Sequence, residues 1–432
     1  MRRAIICPVE SIVAQPDLAA ALDAFLRPGV RGVLRQAAEL AANQGGALYL
    51  VGGTVRDMLL GRPQADLDLV VEGDAPALAA ALAARLGGRT RAHPQFGTAS
   101  VEWAGEPPLL DLVTARRERY PRPAALPEVA PAPLRDDLLR RDFAANALAI
   151  ALDPAHYGAL IDVTGGVDDL RRRELRVLHD ASFVDDPTRI LRGARLAARL
   201  GFAFEPRTAA LLADALAQGM LERTTPQRIW NELELTLAEE RPEAALALLQ
   251  ALGALPHLHP ALRWTPEQAG RYARARGAGA DVALGLLLYD LPDAEREAFV
   301  ARYRLPAPLA RLVRDLSAAR AAAAVLHDPS LPASAIDRLL RGVDERALRA
   351  AQAAEPPAAP AIERYLGELR AIRPVLDGRY LRDLGLPPGP RYAELLDALR
   401  AARLDGRVHT REEEAAFLRE RVSGRHSDPM TR

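Results

Sequence analysis

The sequence predicts a two-part protein, with an α/β head near the N-terminus and a long α-helical remainder. Short apolar or β-branched runs separated by turn residues are concentrated in residues 46–150, which is the pattern of strands alternating with helices. From about residue 180 onward the pattern is almost wholly helical, with Pro and Gly as punctuation. Ala, Leu and Arg dominate the 432 residues, and all three favour helix formation.

The composition excludes several classes of site. The 49% hydrophobic content is ample for a buried core and for more than one domain. Lys+Arg and Asp+Glu are both 57, so a nucleic-acid partner would need a local basic face. The sequence contains no lysine, which excludes a P-loop lysine, a Schiff base and a lysine general base. Any bound phosphate must therefore be held by arginine, backbone N–H groups or metal.

The single cysteine, Cys7, excludes an intramolecular disulfide and a multi-cysteine zinc site. The basic N-terminal stretch MRRAIICPVES has an apolar run too short for a signal peptide. Arg or Glu interrupts every longer apolar stretch before it reaches the length of a membrane span. We therefore expect a cytoplasmic protein.

The elements of the head can be assigned in order. Residues 1–45 are Ala-rich and predict an N-terminal helical extension. The Pro-rich residues 120–133 predict a loop that crosses an edge of the sheet. The helix between strands is APALAAALAARLG, and the predicted strands are ALYLV, DLDLVVEG, TASVEW and LLDLVTA.

A glycine pair, Gly52 and Gly53, follows the first predicted strand and precedes a helix. Paired glycines at such a turn let backbone N–H groups approach a phosphate closely, helped by the helix N-terminus. Arg56 and Asp57 are predicted on the first turn of that helix. A glycine pair also occurs in ordinary turns, so further residues are needed before the motif indicates a phosphate site.

Two aspartates, Asp66 and Asp68, alternate in the next predicted strand and would therefore leave the same face. Two neighbouring carboxylates repel unless cations lie between them, as in two-Mg²⁺ sites for in-line phosphoryl transfer. Alone, the pair fits an exposed strand better than a metal site. The Gly-Gly-x-x-Arg-Asp motif just upstream reverses that preference.

Together these residues resemble the signature of class II tRNA nucleotidyltransferases and bacterial poly(A) polymerases: Gly-Gly-x-Val-Arg-Asp, then Leu-Gly, then Asp-x-Asp. The resemblance implies a nucleotidyltransferase head with a small mixed sheet, Mg²⁺ on Asp66 and Asp68, and a triphosphate on the glycine turn. It also implies a division into an N-terminal extension (1–45), a catalytic head (46–150), a base-recognising neck (151–240) and a tRNA-binding body and tail (241–432).

A second constellation spans residues 111–146. Asp111 lies on a predicted strand, where it is either a third catalytic carboxylate or an ordinary strand-end aspartate. Downstream, RRDFAANA resembles the family motif Arg-Arg-Asp-Phe-x-x-Asn-Ala, which matches Arg140, Arg141, Asp142 and Asn146. The spacing predicts Asp142 and Asn146 on one helix face. The resemblance places Arg140, Asp142 and Asn146 near the nucleotide.

A third constellation, VDDPTRILRG, contains Asp185 and Asp186, followed by Arg189 and Arg192. Acids before a proline are also an ordinary helix start. The resemblance assigns the stretch to the family motif Glu-Asp-x-x-Arg, which selects the incoming base without a nucleic-acid template. Asp185 departs from the usual Glu, and we expect Asp186 and Arg189 to contact the base.

The chemistry of the bases supports that pair. Cytosine and adenine both present an amino donor beside a ring-nitrogen acceptor, which complements a carboxylate beside a guanidinium. Uracil and guanine present the reverse order, and each mismatch leaves buried polar groups unpaired at about 1–3 kcal/mol apiece. One Asp–Arg pair can therefore select C and A together.

A fourth segment, TTPQRIWNELELTL, places Arg228 and Glu232 at helical i,i+4 spacing. It resembles the family motif that braces the base-reading helix, with Arg228 near the triphosphate. The Arg-rich helices of the C-terminal half are expected to include phosphate contacts to RNA.

The sequence therefore predicts a Mg²⁺-dependent enzyme that adds CCA, only CC or only the terminal A to the tRNA 3′ end from CTP and ATP. A poly(A) polymerase is the first alternative, because it shares these motifs. A catalytically silent RNA-binding protein is the second, although the intact glycine and aspartate motifs argue against it.

Overall fold

The computed structural model describes residues 18–63, 67–105, 107 and 109–423. These residues fall into two compact units. The first runs to Thr236 and includes Ala244–Leu258, and the second comprises Leu237–Glu243 and the chain from His259 onward. The first unit contains the sheet and the second is helical, which confirms the predicted α/β head followed by an α-helical remainder.

The strands of the described residues are β1 (Ala47–Val51), β2 (Leu69–Glu72), β3 (Arg89–His93), β4 (Thr98–Glu102), β5 (Leu109–Thr114), β6 (Arg116–Arg119), β7 (Glu128–Pro131), β8 (Leu148–Ala151), β9 (Leu160–Asp162), β10 (Glu174–Leu175) and β11 (Ala203–Phe204).

The α-helices of the first unit are α1 (Ala19–Phe25), α2 (Pro28–Asn43), α3 (Gly52–Leu59), α4 (Ala75–Leu86), α5 (Leu134–Leu139), α6 (Gly166–Arg172), α7 (Ser182–Asp185), α8 (Thr188–Leu200), α9 (Pro206–Ala217), α10 (Met220–Arg223), α11 (Pro226–Leu237), α12 (Pro242–Ala251) and α13 (Leu255–Leu258). The last residue of α11 and the first two of α12 belong to the second unit.

The remaining α-helices lie in the second unit: α14 (Pro266–Arg274), α15 (Ala280–Leu288), α16 (Asp293–Tyr303), α17 (Ala307–Val325), α18 (Ala333–Leu340), α19 (Glu345–Ala354), α20 (Ala359–Gly367), α21 (Gly378–Asp383), α22 (Pro390–Leu404) and α23 (Arg411–Val422).

The head is built on a seven-stranded mixed sheet of order β3-β4-β5-β2-β1-β8-β9. Only the β2–β5 pair is parallel among these neighbours, as the resemblance implied for a mixed sheet. In that pair Leu69 lies beside Leu112. The residues just before them in sequence, Asp68 and Asp111, are therefore also neighbours at this position in the sheet.

Helices α2 and α4 pack on each other and on the sheet. Val30, Leu34 and Ala37 are buried along one stripe of α2, as expected for an amphipathic helix covering a core. Helix α4 begins at an N-cap aspartate, Asp74, whose carboxylate accepts the N–H of Ala77, and ends at the left-handed Gly87. These caps satisfy backbone groups that the helix ends would otherwise leave unpaired.

The structure corrects two local predictions. Part of the Pro-rich stretch is strand β7, which pairs with β6. The predicted helix over Asp142–Asn146 is absent: α5 ends at Leu139, Phe143 is extended, and only a 3₁₀ turn spans Ala144–Asn146. The reason is tertiary packing, because the fully buried ring of Phe143 packs against α8 at Gly193.

In the second unit, polar groups tie several helices together. Arg400 of α22 forms a bidentate ion pair with Asp337 of α18, at 2.9 and 2.6 Å, and both residues are buried. Glu414 of α23 is also buried and accepts the backbone N–H groups of Val375 and Leu376.

Among the described residues, no helix is long and apolar enough to cross a membrane.

Candidate active site

The glycine turn lies where β1 ends and α3 begins. Gly52 has φ +67°, a left-handed conformation that residues with a Cβ rarely adopt. A Cβ on Gly52 would lie 2.7 Å from Nη1 of Arg141 and 3.2 Å from Oδ2 of Asp68. Glycine is therefore required by the backbone conformation and by the close approach of these two side chains.

Replacing Gly52 by Ala should lower the nucleotide-adding activity at least tenfold. The left-handed conformation costs about 1–2 kcal/mol for alanine, and the methyl group would displace Arg141 from the turn. Gly61→Ala is a matched control, because Gly61 has φ +65° but nothing lies within 4 Å of its added Cβ. Steady-state rates and thermal unfolding should show similar destabilisation in both variants but a loss of rate only at Gly52. Equal rates in the two variants would contradict this assignment.

Asp68 precedes β2 and is not within the strand, contrary to the prediction. Its N–H donates to Thr54 Oγ1 at 3.0 Å, and its carbonyl accepts the N–H of Val51 at 2.9 Å. These two bonds fix the Asp68 backbone beside the glycine turn. The other predicted metal ligand, Asp66, lies outside the described residues.

Asp111 of β5 neighbours Asp68 across the β2–β5 pair, and its carboxylate accepts a 2.5 Å hydrogen bond from Ser100 Oγ. Both aspartates line a cleft of about 560 Å³, together with Arg27, Arg140 and Arg141. No group of three or more His, Cys, Asp or Glu side chains suited to a metal occurs within the described part of the chain. The two exposed carboxylates nevertheless provide the hard oxygen ligands that Mg²⁺ prefers.

Arg56 is the fifth residue of α3 and lies on its second turn, not on the first as predicted. Its side chain is 5% exposed and donates to both carboxylate oxygens of Asp57 at 2.9 Å. Nη1 donates to Asn146 Oδ1 at 2.6 Å, and Asn146 in turn donates to Asp142 at 3.1 Å. The four predicted residues are therefore brought together, with Arg56 joining α3 to the 3₁₀ turn.

Asp142 connects these contacts to Arg192 of α8. Its side chain is 11% exposed, and Nη1 of Arg192 lies 3.5 Å from Oδ2. Burial opposes ionisation, but the charge of Arg192 and the hydrogen bond from Asn146 outweigh it and hold the pKa of Asp142 below its usual value. The carboxylate is thus ionised at neutral pH and orients the Asn146 amide.

Two acids that the sequence analysis missed hold the adjacent arginines. Asp137 is fully buried and accepts from Arg140 at 2.6 Å and from Arg141 at 2.9 Å. Burial opposes ionisation of Asp137, yet the charges of Arg141 and Arg140 lower its pKa. Glu118 also accepts from Arg140, at 2.9 Å. The i,i+3 and i,i+4 spacing of Asp137 to the two arginines was a usable signal.

Asp186 lies in the corner between α7 and α8 and is 9% exposed. Its Oδ1 accepts the N–H and the hydroxyl of Thr188, at 3.1 and 2.5 Å, and Nη2 of Arg228 at 2.7 Å. Nη1 of Arg228 donates to the carbonyl of Ala124 at 2.9 Å. The charged partner of Asp186 is therefore Arg228.

The side chain of Arg189 forms its hydrogen bonds with groups other than Asp186. Nη1 donates to Ser182 Oγ at 2.6 Å and Nη2 to the carbonyl of Arg140 at 2.9 Å. Its buried Nε has no hydrogen-bond partner in the described structure. The Asp185 carboxylate instead lies 3.9 Å from Nδ1 of His179. The structure thus brings Asp186, Arg189 and Arg228 to one corner and leaves Asp185 outside these contacts.

Helix α11 braces α8 through Glu232. One oxygen of this buried carboxylate accepts from Nε and Nη2 of Arg192 at 3.0 and 2.7 Å. The other accepts from Arg195 at 3.1 Å. Because Arg192 also contacts Asp142, Glu232 supports both α8 and the network that holds Arg56.

Glu232→Gln should lower the thermal stability of the protein and weaken its base selection. The change removes the negative charge from a site with two arginines, which we expect to cost about 2 kcal/mol because the arginines are partly exposed. Glu234→Gln is the control, since Glu234 is an exposed glutamate on the same helix. Thermal unfolding and misincorporation of UTP measure the two effects. Identical behaviour of both variants would show that the brace has no role.

The site as a whole combines three functions. The Gly52–Gly53 turn and Arg141 can hold phosphates, and Asp68 with Asp111 can bind a divalent cation. The corner around Asp186 offers a carboxylate and guanidinium groups to a polar planar ligand. That set of groups suits phosphoryl transfer from a nucleotide.

Comparison with known proteins agrees with this chemistry. The family profile described as the Poly A polymerase head domain matches residues 48–176. A second profile, the probable RNA and SrmB-binding site of polymerase A, matches residues 201–265.

Two curated relatives align over most of the chain. The A-adding tRNA nucleotidyltransferase of Halalkalibacterium halodurans is 33% identical over 92% of this chain and 93% of its own length. The CC-adding tRNA nucleotidyltransferase of Deinococcus radiodurans is 40% identical over 86% of this chain and 88% of its own length.

Solved structures share the fold. An apo form of a CCA-adding enzyme superposes with a TM-score of 0.80 at 30% identity, over 94% of this chain and 98% of that one. The Thermotoga maritima CCA-adding enzyme complexed with tRNA superposes with a TM-score of 0.74 at 29% identity, over 94% and 98% of the two chains. With its head, its site and its full-length relatives in agreement, this chain belongs to the tRNA nucleotidyltransferase family.

Proposed function

We propose that this protein adds all or part of the CCA sequence to the 3′ end of tRNA from CTP and ATP and releases pyrophosphate. The observation that carries the proposal is the position of Asp68, whose carboxylate lies against the Gly52–Gly53 turn. That arrangement places a cation ligand beside a phosphate-binding turn. Because its substrate tRNA is cytoplasmic, we place the activity there.

Asp66 and Asp68 would hold Mg²⁺, and Asp111 lies beside Asp68. Bound there, Mg²⁺ would offset charge on the α-phosphate and lower the pKa of the tRNA 3′-hydroxyl. The protein's own groups bind and orient the substrates. The turn N–H groups and Arg141 hold the triphosphate, while Arg56, Asn146 and Asp142 keep α3 and the turn in place.

Base selection is assigned to the corner of Asp186, Arg189 and Arg228. Oδ1 of Asp186 already accepts three hydrogen bonds, and Oδ2 offers an acceptor for the amino group of cytosine or adenine. The buried Nε of Arg189 lacks a partner, and an unsatisfied donor favours a ligand that offers an acceptor. Adenine and cytosine offer that acceptor next to their amino group.

A poly(A) polymerase is the weaker candidate. The glycine and aspartate motifs occur in that enzyme class as well, but the two curated relatives that align over most of this chain are tRNA nucleotidyltransferases. A poly(A) polymerase would extend unrelated RNA with long tails from ATP alone.

The test uses purified full-length protein and three tRNAs, ending before CCA, after the first C and after the second C. Each is incubated with one labelled nucleotide at a time. We expect incorporation of CTP, ATP or both in the order of the CCA sequence, and none of UTP or GTP. Long ATP tails on unrelated RNA would contradict the proposal, as would the absence of any incorporation.

A further inference from the structure

Arg27 lies outside every motif of the family signature yet lines the catalytic cleft with Asp68 and Asp111. It is the N-cap residue of α2 and the second of the two residues between α1 and α2, in the N-terminal extension. Its side chain is exposed, whereas its neighbour Leu26 is buried. An exposed arginine that lines the cleft lies where an anionic substrate would bind.

The fold explains why Arg27 reaches the cleft. Helix α2 is joined to β1 by three residues, in which Gly45 has φ +75°, so the chain reverses direction there. Sixteen helical residues span about 24 Å and five strand residues about 17 Å. The N-terminus of α2 therefore returns to the end of the sheet at which β1 meets Gly52.

The corner that carries Arg27 is fixed to the head. The hydroxyl of Tyr157 donates to Asp23 of α1 at 2.6 Å, and the N–H of Leu18 donates to the carbonyl of Gly158 at 3.0 Å. Gly158 packs so closely on Ala19 that an added Cβ would lie 2.4 Å from its nitrogen. These contacts hold α1 against the β8–β9 connection and thereby position the Arg27 backbone.

The charges in the cleft indicate what Arg27 binds. Arg140 and Arg141, which both donate to buried Asp137, line the same cleft. Without lysine in the chain, the phosphates of a nucleotide and of an RNA end must be held by arginine, backbone N–H groups or metal. Arg27 is the third arginine of the cleft.

We propose that Arg27 is a phosphate-binding residue of the catalytic cleft, supplied by the N-terminal extension. The phosphate belongs either to the triphosphate of the incoming nucleotide or to the terminal phosphodiester of the tRNA. The inference rests on the proposed function, because it assigns the phosphate to that enzyme's substrates.

The experiment compares Arg27→Ala and Arg27→Gln with Arg85→Ala and Arg85→Gln in the full-length protein. Arg85 is an arginine of α4 that pairs with Glu39 of α2, about 18 Å further along α2 from residue 27. KM and kcat are measured for CTP, ATP and tRNA. The affinity for tRNA without nucleotide is measured at several KCl concentrations.

We expect the Arg27 variants to lose about 10- to 100-fold in kcat/KM, the loss typical of a charge-assisted hydrogen bond. If the phosphate is that of tRNA, KM for tRNA rises and the slope of log affinity against log salt falls by about 1. If the phosphate is that of the nucleotide, KM for CTP and ATP rises while tRNA affinity is unchanged.

Arg27 variants that match the Arg85 variants within twofold, in a wild-type protein that adds nucleotides, would overturn this inference alone. A wild-type protein that adds no nucleotide would overturn the proposed function and the inference with it. Because Arg27 is exposed, thermal unfolding should be unchanged in its variants. A large fall in unfolding temperature would assign Arg27 a structural role and also overturn the inference.

Discussion

Replacing Asp68 by Asn is expected to reduce nucleotide incorporation by at least about 10³-fold. The change keeps the size of the side chain and the backbone bonds to Thr54 and Val51, but it removes the negative charge that a divalent cation requires. Single-turnover incorporation of labelled CTP or ATP into tRNA measures the effect. Because the Asp68 carboxylate is exposed, its loss should leave the fold and the affinity for tRNA unchanged.

Asp168→Asn is the control, since Asp168 is an exposed aspartate paired with Arg171 on α6. It should retain full activity. Asp111→Asn separates the two roles left open for Asp111: a smaller but clear loss of kcat supports a catalytic role, and wild-type kcat supports a structural one through Ser100. Wild-type activity in Asp68→Asn would contradict the assignment of the metal site.

Replacing Asp186 by Asn should reduce discrimination against UTP and GTP by about 5- to 150-fold. An amide can present a donor where the carboxylate presents only acceptors, so the mismatched bases no longer leave a buried group unpaired, a penalty of about 1–3 kcal/mol. Incorporation of all four nucleotides, each alone and in competition, measures the change. The rate with CTP and ATP should also fall, because the bond from Arg228 loses its charge assistance.

Arg189, the other residue expected to contact the base, is tested by Arg189→Gln, which should relax selectivity in the same direction. Asp180→Asn is the control, because Asp180 is an exposed aspartate paired with Arg207. Exchange of the two residues is a less informative variant. An arginine at position 186 would face Arg228, and an aspartate at 189 would face the carbonyl of Arg140. Unchanged selectivity in both single variants would show that these residues only begin a helix.

The sequence alone determined the class of fold and the residues of the candidate site. The periodicity of apolar residues is a local property of the sequence. The contrast between short alternating runs and helical runs therefore distinguished the α/β head from the helical remainder of the chain. The resemblance to the family signature singled out the motif residues Gly52, Gly53, Asp68, Asp142 and Asn146. The spacing identified Asp142 and Asn146 as neighbours correctly, since they are hydrogen-bonded, although the helix predicted to join them does not form.

The partners of the charged side chains were decided only by the tertiary structure. Asp186 pairs with Arg228, which is 42 residues away, and Arg192 pairs with Glu232 at a separation of 40. Such pairs depend on which helices pack together, and helix packing is set by the burial of apolar faces over the whole unit. Arg27 lines the cleft beside Asp68 for the same reason. The sequence shows that residue 27 is an arginine and therefore positively charged. Its neighbours depend on the reversal of the chain between α2 and β1 and on the contacts that fix α1.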